Sequence, residues 1–494
     1  MQSTTTIDQA RAPGGGRATV RRSLIWSAVE NFSSILISFG SLILYSRMLT
    51  IAEFGLFSIV LAVMELLDLV VRMLFHDALV QRKDITPAHF DTAFTVTMGI
   101  SIVCVAACVA LAAPFERLVQ SPGAGAILAG MTLMLPCGGI TATIVAQQRR
   151  ELSFKSLALR TLMGRLTGTV AGLTLVALGA GVWGLVAQQV LVVAIGSLVL
   201  WFGADQRPRL RFGMAELRDL WSFSLFSLGT LILNSAVKRV FVIMAGAFLG
   251  LRAAGILNLA MRTVDTLYSV AATGVSQVAM PMLASVQVDR DRMARIYRLA
   301  TALTCAVMYG LFFGLASLAP EVVRVMFGAQ WAEAAIYISI MACLTLVQAP
   351  RLMMSPLLTA IGRPADSMIA RVIEMTVMVV LLWVVHSSAL PTAVAIWVAR
   401  ELVGFPVMVW LVRRATAMRI RDQLRGSVTP LVASGAMVGA IFLARWQLTA
   451  AWPAVYSLSV LCVIGAVAFV AALALVDRSL LNETLGLVHG KRLS

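Results

Sequence analysis

Two adjacent basic residues, Lys238 and Arg239, interrupt a strongly apolar stretch that runs from Ser222 to Leu249. Each such charge costs about 2.5 to 3.5 kcal/mol to insert at the centre of a bilayer. A purely structural helix gains nothing from that cost, whereas a protein that holds an anion in its interior requires such cations. The pair therefore predicts an internal anion-binding site. Because adjacent helical residues point about 100° apart, we expect one of the two to face the site, and Lys238 is in line with Asn234.

Nine of the forty Lys and Arg residues fall inside predicted membrane spans. Some of them have an acid three or four residues away on the same helix, which permits local neutralisation. Such spacing joins Asp68 to Arg72, Arg262 to Asp265 and Arg371 to Glu374. The others need a partner on another helix, in water or on a ligand, and buried salt bridges between helices are the alternative for any one of them. The candidate anion-binding residues are Lys238, Arg239, Arg262 and Arg351, followed by Arg165 and Arg400.

The composition predicts the elements that must position these residues. The 494 residues are 59% hydrophobic and 13% charged, with a mean hydropathy of +0.88. These values exclude an ordinary soluble domain and a nucleic-acid-binding chain, and they predict an all-α polytopic membrane protein. About fourteen stretches are long enough to span a bilayer. They lie near 24–48, 55–75, 92–113, 124–146, 156–179, 181–203, 221–249, 255–282, 296–319, 332–361, 366–388, 391–412, 427–445 and 452–476.

The basic residues between the spans predict the orientation. With fourteen spans, 26 of them fall on the side that carries both termini and five fall on the other side. Positively charged loops stay in the cytoplasm, so both termini are expected there. The formal net charge of +16 is interpreted mainly as this topological bias, with some contact to anionic membrane lipids.

The chain contains an internal duplication. The segment that begins at Arg47 aligns with the segment that begins at Ala247 at a constant offset of 200, so that Gly55 matches Gly255. We therefore expect two six-helix halves related by a pseudo-two-fold axis along the membrane normal, with a cavity between them. Prolines on the equivalent helices 4 and 10 predict hinges at Pro136, Pro350 and Pro356. The predicted parts are an N-terminal tail (1–22), a first bundle (23–203), a basic linker (204–220), a second bundle (221–412), a basic loop (413–426), two further helices (427–476) and a C-terminal tail (477–494).

The sequence contains no phosphate-binding loop, no metal-type cluster and no nucleophile triad, so no cofactor and no metal are expected. The protein is then a transporter rather than an enzyme, driven by an ion gradient or by the substrate gradient. Acids within the spans are the candidates for ion coupling. They are Glu30, Glu65, Asp265 and Glu401.

Four segments resemble one protein family. The first, "SRMLTIAEFGLFSIVLAVMELLDLVVRMLFHDALVQRKDITPAHFDTAF", spans 46–94, and the others are "RRELSFKSLALR" (149–160), "GVWGLVAQQ" (181–189) and "APEVVRVMFGAQWAEAA" (319–335). They are similar to the Wzx-like polysaccharide transporters, within the superfamily that joins multidrug antiporters to lipid-linked oligosaccharide flippases. The resemblance covers roughly residues 20 to 425.

The resemblance implies an inner-membrane flippase that moves undecaprenyl-diphosphate-linked oligosaccharide to the periplasmic face by alternating access. The repeat unit would be that of an O-antigen, a capsule or an exopolysaccharide, and the polymerase and glycosyltransferases of the same pathway would be partners. The candidate cations would then hold the diphosphate. Polar residues that would meet sugar hydroxyls are Gln188, Gln189, Asn234 and Asn258.

Two alternatives remain open. A multidrug antiporter of the same superfamily would need an acidic cavity for cationic drugs, whereas the candidate residues here are mainly basic. A polysaccharide polymerase or ligase would need a large outer loop with catalytic residues, and every predicted outer loop is short. A membrane scaffold would have no use for the cations.

Overall fold

The computed structural model describes residues 17–477 apart from 83, 152, 205, 285–289, 386–388 and 448–451. Within the helices, the side chains of 17–25, 27–28, 230, 234, 273–293, 360 and 364 fall outside this description. The described residues form eighteen α-helices and one short 3-10 turn, without a strand. Most of the two predicted tails lies outside the described residues.

The first nine helices precede the predicted linker. They are α1 (Arg17–Met48), α2 (Ile51–Met73), α3 (His76–Gln81), α4 (Pro87–Ala110), α5 (Ala112–Val119), α6 (Ala124–Met131), α7 (Met134–Arg150), α8 (Phe154–Ala177) and α9 (Val182–Gly203). The other nine are α10 (Met214–Leu249), α11 (Leu251–Ala284), α12 (Arg290–Met326), α13 (Ala334–Cys343), α14 (Thr345–Ala360), α15 (Pro364–Val385), α16 (Leu390–Thr416), α17 (Ile420–Gln447) and α18 (Ala454–Val476).

These helices confirm the polytopic all-α class. Ten helical segments in the described part of the chain are long and apolar enough to cross a membrane, and two bent pairs raise that number to twelve. Helices α8 and α11 have 24 and 34 residues but are not among those segments. Both carry several charged residues. Fourteen spans, which would include α8 and α11, stays a prediction.

Two of the spans are bent. Helix α10 bends by 48° between Leu233 and Ser235, just before the basic pair, and α13 meets α14 at 43° around Leu344. Pro350 and Pro356 lie inside α14, beyond that break. Pro136 lies in the first turn of α7, where a proline is tolerated because no helical partner is lost. The α13–α14 break thus lies before the prolines of α14, and α10 bends without containing a proline, so neither bend lies at a predicted proline hinge.

The two duplicated glycines bring α2 against α11. A Cβ on Gly55 would lie 1.8 Å from the carbonyl oxygen of Leu251, and a Cβ on Gly255 would lie 2.4 Å from the carbonyl oxygen of Ile51. Small residues permit such close approach of membrane helices. This reciprocal crossing is what a pseudo-two-fold relation between the halves would produce.

The end of the helix bundle at which α2 crosses α11 is also closed by contacts between the α12–α13 connection and the C-terminal end of α1. Trp331 donates its indole N–H to the Ser46 carbonyl at 2.7 Å, and the Gln330 amide donates to the same oxygen at 2.6 Å. Arg47 in turn donates to the Met326 carbonyl at 3.0 Å, at the end of α12. We call these residues the end latch. Because they cap helix ends that otherwise lack partners, they hold the two halves together at this end.

The predicted linker runs directly into a helix. Helix α10 begins at Met214, so the last residues of the predicted 204–220 linker are already helical. Leu220 is fully buried and packs with Leu74, Phe75 and Leu228. This apolar contact with the first bundle stabilises the N-terminal turns of α10. At the other end of the chain, α17 and α18 pack on α12, where Phe469 covers Gly310.

The crossing predicts a stability effect. Gly55→Ala places a methyl group against the α11 backbone, which cannot move out of the way, and overpacking of this kind costs about 1 to 3 kcal/mol. Gly435→Ala is the matched control, because a Cβ there meets nothing within 4 Å. We expect a lower melting temperature of the detergent-solubilised protein for Gly55→Ala alone. Equal melting temperatures for the two variants would contradict the crossing.

Candidate functional site

The basic pair on α10 divides between two acids on neighbouring helices. The Lys238 ammonium lies 2.6 Å from an Asp265 oxygen on α11, and the Arg239 guanidinium lies 2.9 Å from a Glu65 oxygen on α2. The second pair joins the two halves of the protein. Glu65 and Asp265 occupy equivalent positions in the duplication, so each half contributes one carboxylate at the same place.

Both pairs line one pocket, of about 120 Å³, together with Asn258 and Arg262. The prediction that only Lys238 faces the site is therefore wrong. Its side chain is 44% exposed and that of Arg239 is 29% exposed. The two side chains converge because their length compensates for their different directions on the helix. Ion pairs this accessible to solvent contribute about 1 kcal/mol or less, so a ligand can replace either acid.

Arg262 has no ion pair and no side-chain hydrogen bond among the described residues. The sequence spacing permits Asp265, three residues further along α11, to neutralise it. In the structure Asp265 bonds to Lys238 instead. The free guanidinium borders the pocket between the halves and is the feature best suited to bind an anion.

Arg165, in the first bundle, is a further cation near Arg262. It lies on α8, donates to the Ser38 hydroxyl on α1, and is close enough to Arg262 for their charges to repel. Glu30, a candidate for ion coupling, is also within range of Arg165. Its carboxylate accepts a hydrogen bond from Thr161 at 2.9 Å.

Arg351 and Arg400 lie in a buried network inside the second bundle, away from the pocket between the halves. Arg351 pairs with Glu374 and, at 3.3 Å, with Glu401. Arg400 lies 2.8 Å from Glu401 and 3.6 Å from Glu374, and its guanidinium stacks 3.8 Å from the centre of the Trp397 ring. The buried salt bridge, the alternative to anion binding, is what the structure shows for both arginines.

Glu374 is the centre of this network. Its side chain is fully buried, and Arg371 approaches it at 3.3 Å in addition to the two arginines named above. The sequence identifies it only as the local partner of Arg371. Its spacing from Arg351 and Arg400 along the chain gives no indication that they meet, because the contact depends on how α14, α15 and α16 pack.

The remaining predicted residues are scattered. Gln188 donates its amide to Thr169 at 3.1 Å, which joins α9 to α8. Gln189 is half-buried on α9, Asn258 borders the pocket, and the side chain of Asn234 lies outside the described residues. Asp68 and Arg72 form the predicted local pair. No group of three or more potential metal ligands occurs in the described part of the chain.

A second, larger cavity of about 690 Å³ lies within the second bundle. It shares Lys238, Met261 and Asp265 with the pocket between the halves. Its lining also contains Arg351 and Arg400. The site thus consists of two adjacent cavities, and the Lys238–Asp265 pair forms part of the wall between them.

With this geometry established, the family follows from comparison. A family model described as "Polysaccharide biosynthesis protein" matches residues 44–336. The chain belongs to this family. The succinoglycan biosynthesis transport protein ExoT of Rhizobium meliloti (strain 1021) is similar to it, with 25% identity over 96% of each chain.

Two solved structures share the fold. The lipid II flippase MurJ, in an inward closed conformation, matches with a TM-score of 0.75 and 14% identity over 92% of this chain and 99% of its own. An inward-facing multidrug resistance MATE transporter matches with a TM-score of 0.59 and 14% identity over 82% of this chain and all of its own. Both likenesses establish the polytopic transporter fold.

The buried network and the accessible pairs predict different responses to the same substitution. Glu374→Gln removes a charge that three arginines share in a buried place, and breaking such a network costs about 3 to 5 kcal/mol. Glu65→Gln removes a half-exposed partner and costs about 1 kcal/mol or less. We expect thermal melting of the purified variants to show a much larger drop for Glu374→Gln. Comparable drops would refute the distinction.

Proposed function

We propose that this protein is a flippase of the bacterial inner membrane that moves undecaprenyl-diphosphate-linked oligosaccharide from the cytoplasmic to the periplasmic face. Its family and the similarity to a succinoglycan transport protein support a transport role in polysaccharide biosynthesis. The shared fold of a lipid II flippase supports a lipid-linked substrate. The product would pass to the polymerase of the same pathway, and glycosyltransferases would supply the substrate.

The observation that carries this proposal is the charge of the two adjacent cavities. Among the described residues, six cations line them, and four acids line them or pair with a residue that does, so two positive charges remain without compensation, one in each cavity. A diphosphate diester carries two negative charges. The cations are Lys238, Arg239, Arg262, Arg351, Arg371 and Arg400, and the acids are Glu65, Asp265, Glu374 and Glu401.

Within this set, the groups that can reach a ligand are those of the pocket between the halves. Arg262 is free to form the bidentate contact that guanidinium makes with phosphate oxygens. Lys238 and Arg239 are half-exposed and hold their acids weakly, so phosphate oxygens can displace Asp265 or Glu65. Arg165 approaches from the first bundle. An anion bound here would contact both halves.

Alternating access would use the end latch and the α2–α11 crossing as one gate. In the structure that end is closed, and the predicted orientation places it on the periplasmic side. The substrate would therefore enter from the cytoplasm, with its lipid tail remaining in the bilayer. Rocking of the two halves would then open the latch and expose the headgroup to the periplasm.

Ion coupling, where present, would involve the accessible acids. Glu401 is held in the buried network by Arg351 and Arg400. Glu65 and Asp265 are 34% and 43% exposed and lose their partners when phosphate binds Arg239 or Lys238. We propose these two as the coupling acids, ahead of Glu30 and Glu401.

Multidrug antiport is the second candidate, because a MATE transporter shares the fold. The charge of the site distinguishes the two functions. A site with two uncompensated positive charges repels a cationic drug and attracts a diphosphate. The described site therefore favours the flippase.

The proposal predicts a transport defect for Arg262→Gln. Loss of a hydrogen bond to a charged group costs about 1.5 to 3 kcal/mol, so translocation of a fluorescent undecaprenyl-diphosphate-linked glycan in proteoliposomes should slow roughly ten- to hundredfold. Arg262→Lys should retain part of the rate, since it keeps the charge and loses the bidentate contact.

Arg252→Gln is the matched control for this experiment. Arg252 lies on the same helix, is 68% exposed, and pairs with Glu333 outside both cavities. It should transport at the wild-type rate. Wild-type transport by a correctly inserted Arg262→Gln protein would reject the proposed function.

A further inference from the structure

The two adjacent cavities differ greatly in size. The pocket between the halves holds about 120 Å³, which is below the range of roughly 300 to 1,000 Å³ for small-molecule sites. A compact anionic group fits there, but an oligosaccharide does not. The cavity inside the second bundle, at about 690 Å³, lies well within that range.

The adjacency of the cavities matches the covalent structure of the substrate proposed above. In a lipid-linked oligosaccharide the first sugar is bonded directly to the diphosphate. Lys238 and Asp265 line both cavities, so a sugar attached to a diphosphate at Arg262 and Lys238 would lie beside the larger cavity, and displacement of Asp265 from Lys238 would bring the two ligand groups together.

The free groups in the larger cavity are mainly neutral. The Tyr268 hydroxyl has no hydrogen-bond partner among the described residues, and an edge contact with Phe312, with ring centres 6.3 Å apart, holds its ring in place. Gln348 uses its amide nitrogen on Glu401, which leaves its carbonyl oxygen available, and Ser355 adds a hydroxyl. Sugar hydroxyls both donate and accept hydrogen bonds, as these groups do.

The charged groups of this cavity are largely occupied. Glu374 and Glu401 are buried and shared among Arg351, Arg371 and Arg400, so these two acids compensate all but one of the three positive charges. Neutral hydrogen-bonding groups fixed by a rigid ionic frame are suited to selecting among uncharged polar ligands.

We propose that the cavity inside the second bundle is a glycan subsite, which binds the first sugars of the lipid-linked oligosaccharide while the diphosphate occupies the pocket between the halves. The inference rests on the proposed function. The residues that contact the sugars are then Tyr268, Gln348 and Ser355 rather than Gln188 and Gln189.

The test compares two probes with the same lipid: undecaprenyl diphosphate alone and undecaprenyl diphosphate that carries a disaccharide. Tyr268→Phe removes one hydroxyl and keeps the ring. It should weaken binding of the disaccharide probe to the purified full-length protein by about two- to tenfold, the effect of one hydrogen bond. Binding of the sugar-free probe should be unchanged. Tyr45→Phe should leave the binding of both probes unchanged. The Tyr45 hydroxyl is buried, lies outside both cavities, and has no hydrogen-bond partner among the described residues.

A second variant tests the volume of the cavity. Ser355→Phe fills part of it and should reduce the affinity for the disaccharide probe to that for the sugar-free one. If Tyr268→Phe and Ser355→Phe bind the disaccharide probe as well as the wild type does, or lose affinity for both probes equally, the subsite is wrong. If the wild type binds neither probe, the proposed function fails and the subsite fails with it.

Discussion

The structure depends on how positive charge is kept inside an apolar bundle. A cation in the membrane interior is costly unless an acid or a ligand neutralises it, and this protein uses both solutions. In the second bundle, Arg351 and Arg400 are permanently neutralised by Glu374 and Glu401, and this network fixes α14, α15 and α16 relative to one another. Between the halves, the pairs are half-exposed and exchangeable, and Arg262 has no acidic partner among the residues that the structure describes. The buried network makes the second bundle rigid, while the cations between the halves remain able to bind an anion.

Duplication explains why the exchangeable pairs lie where they do. The equivalent acids Glu65 and Asp265 face the same pocket from opposite halves, and the equivalent glycines Gly55 and Gly255 let α2 and α11 touch. A cation pair on α10 then joins both halves at once. Any motion that separates the halves must exchange the Arg239–Glu65 contact, so anion binding and the position of the halves are physically connected.

The sequence predicted the polytopic all-helical class, because hydrophobicity and the length of apolar segments are local properties of a chain. It could not predict which cation meets which acid. Arg262 and Asp265 are three residues apart, which suits a salt bridge within one helix. Asp265 nevertheless pairs with Lys238, because α10 and α11 pack closely at that level. The sequence also contained no indication that Arg351, a candidate for the diphosphate, is buried with Glu374 in the wall of the larger cavity. Tyr268 has no charge and no motif, so only the cavity around it indicates a role.

The central claim is that uncompensated positive charge between the halves binds the substrate diphosphate. Titrating the purified protein with undecaprenyl diphosphate and with undecaprenol tests this most directly, because the two ligands share a tail and differ in charge. The account predicts that the diphosphate binds at least about tenfold more tightly, corresponding to roughly 1.4 kcal/mol, and that added salt reduces the difference. Equal affinities would show that the lipid tail alone drives binding and would contradict the account.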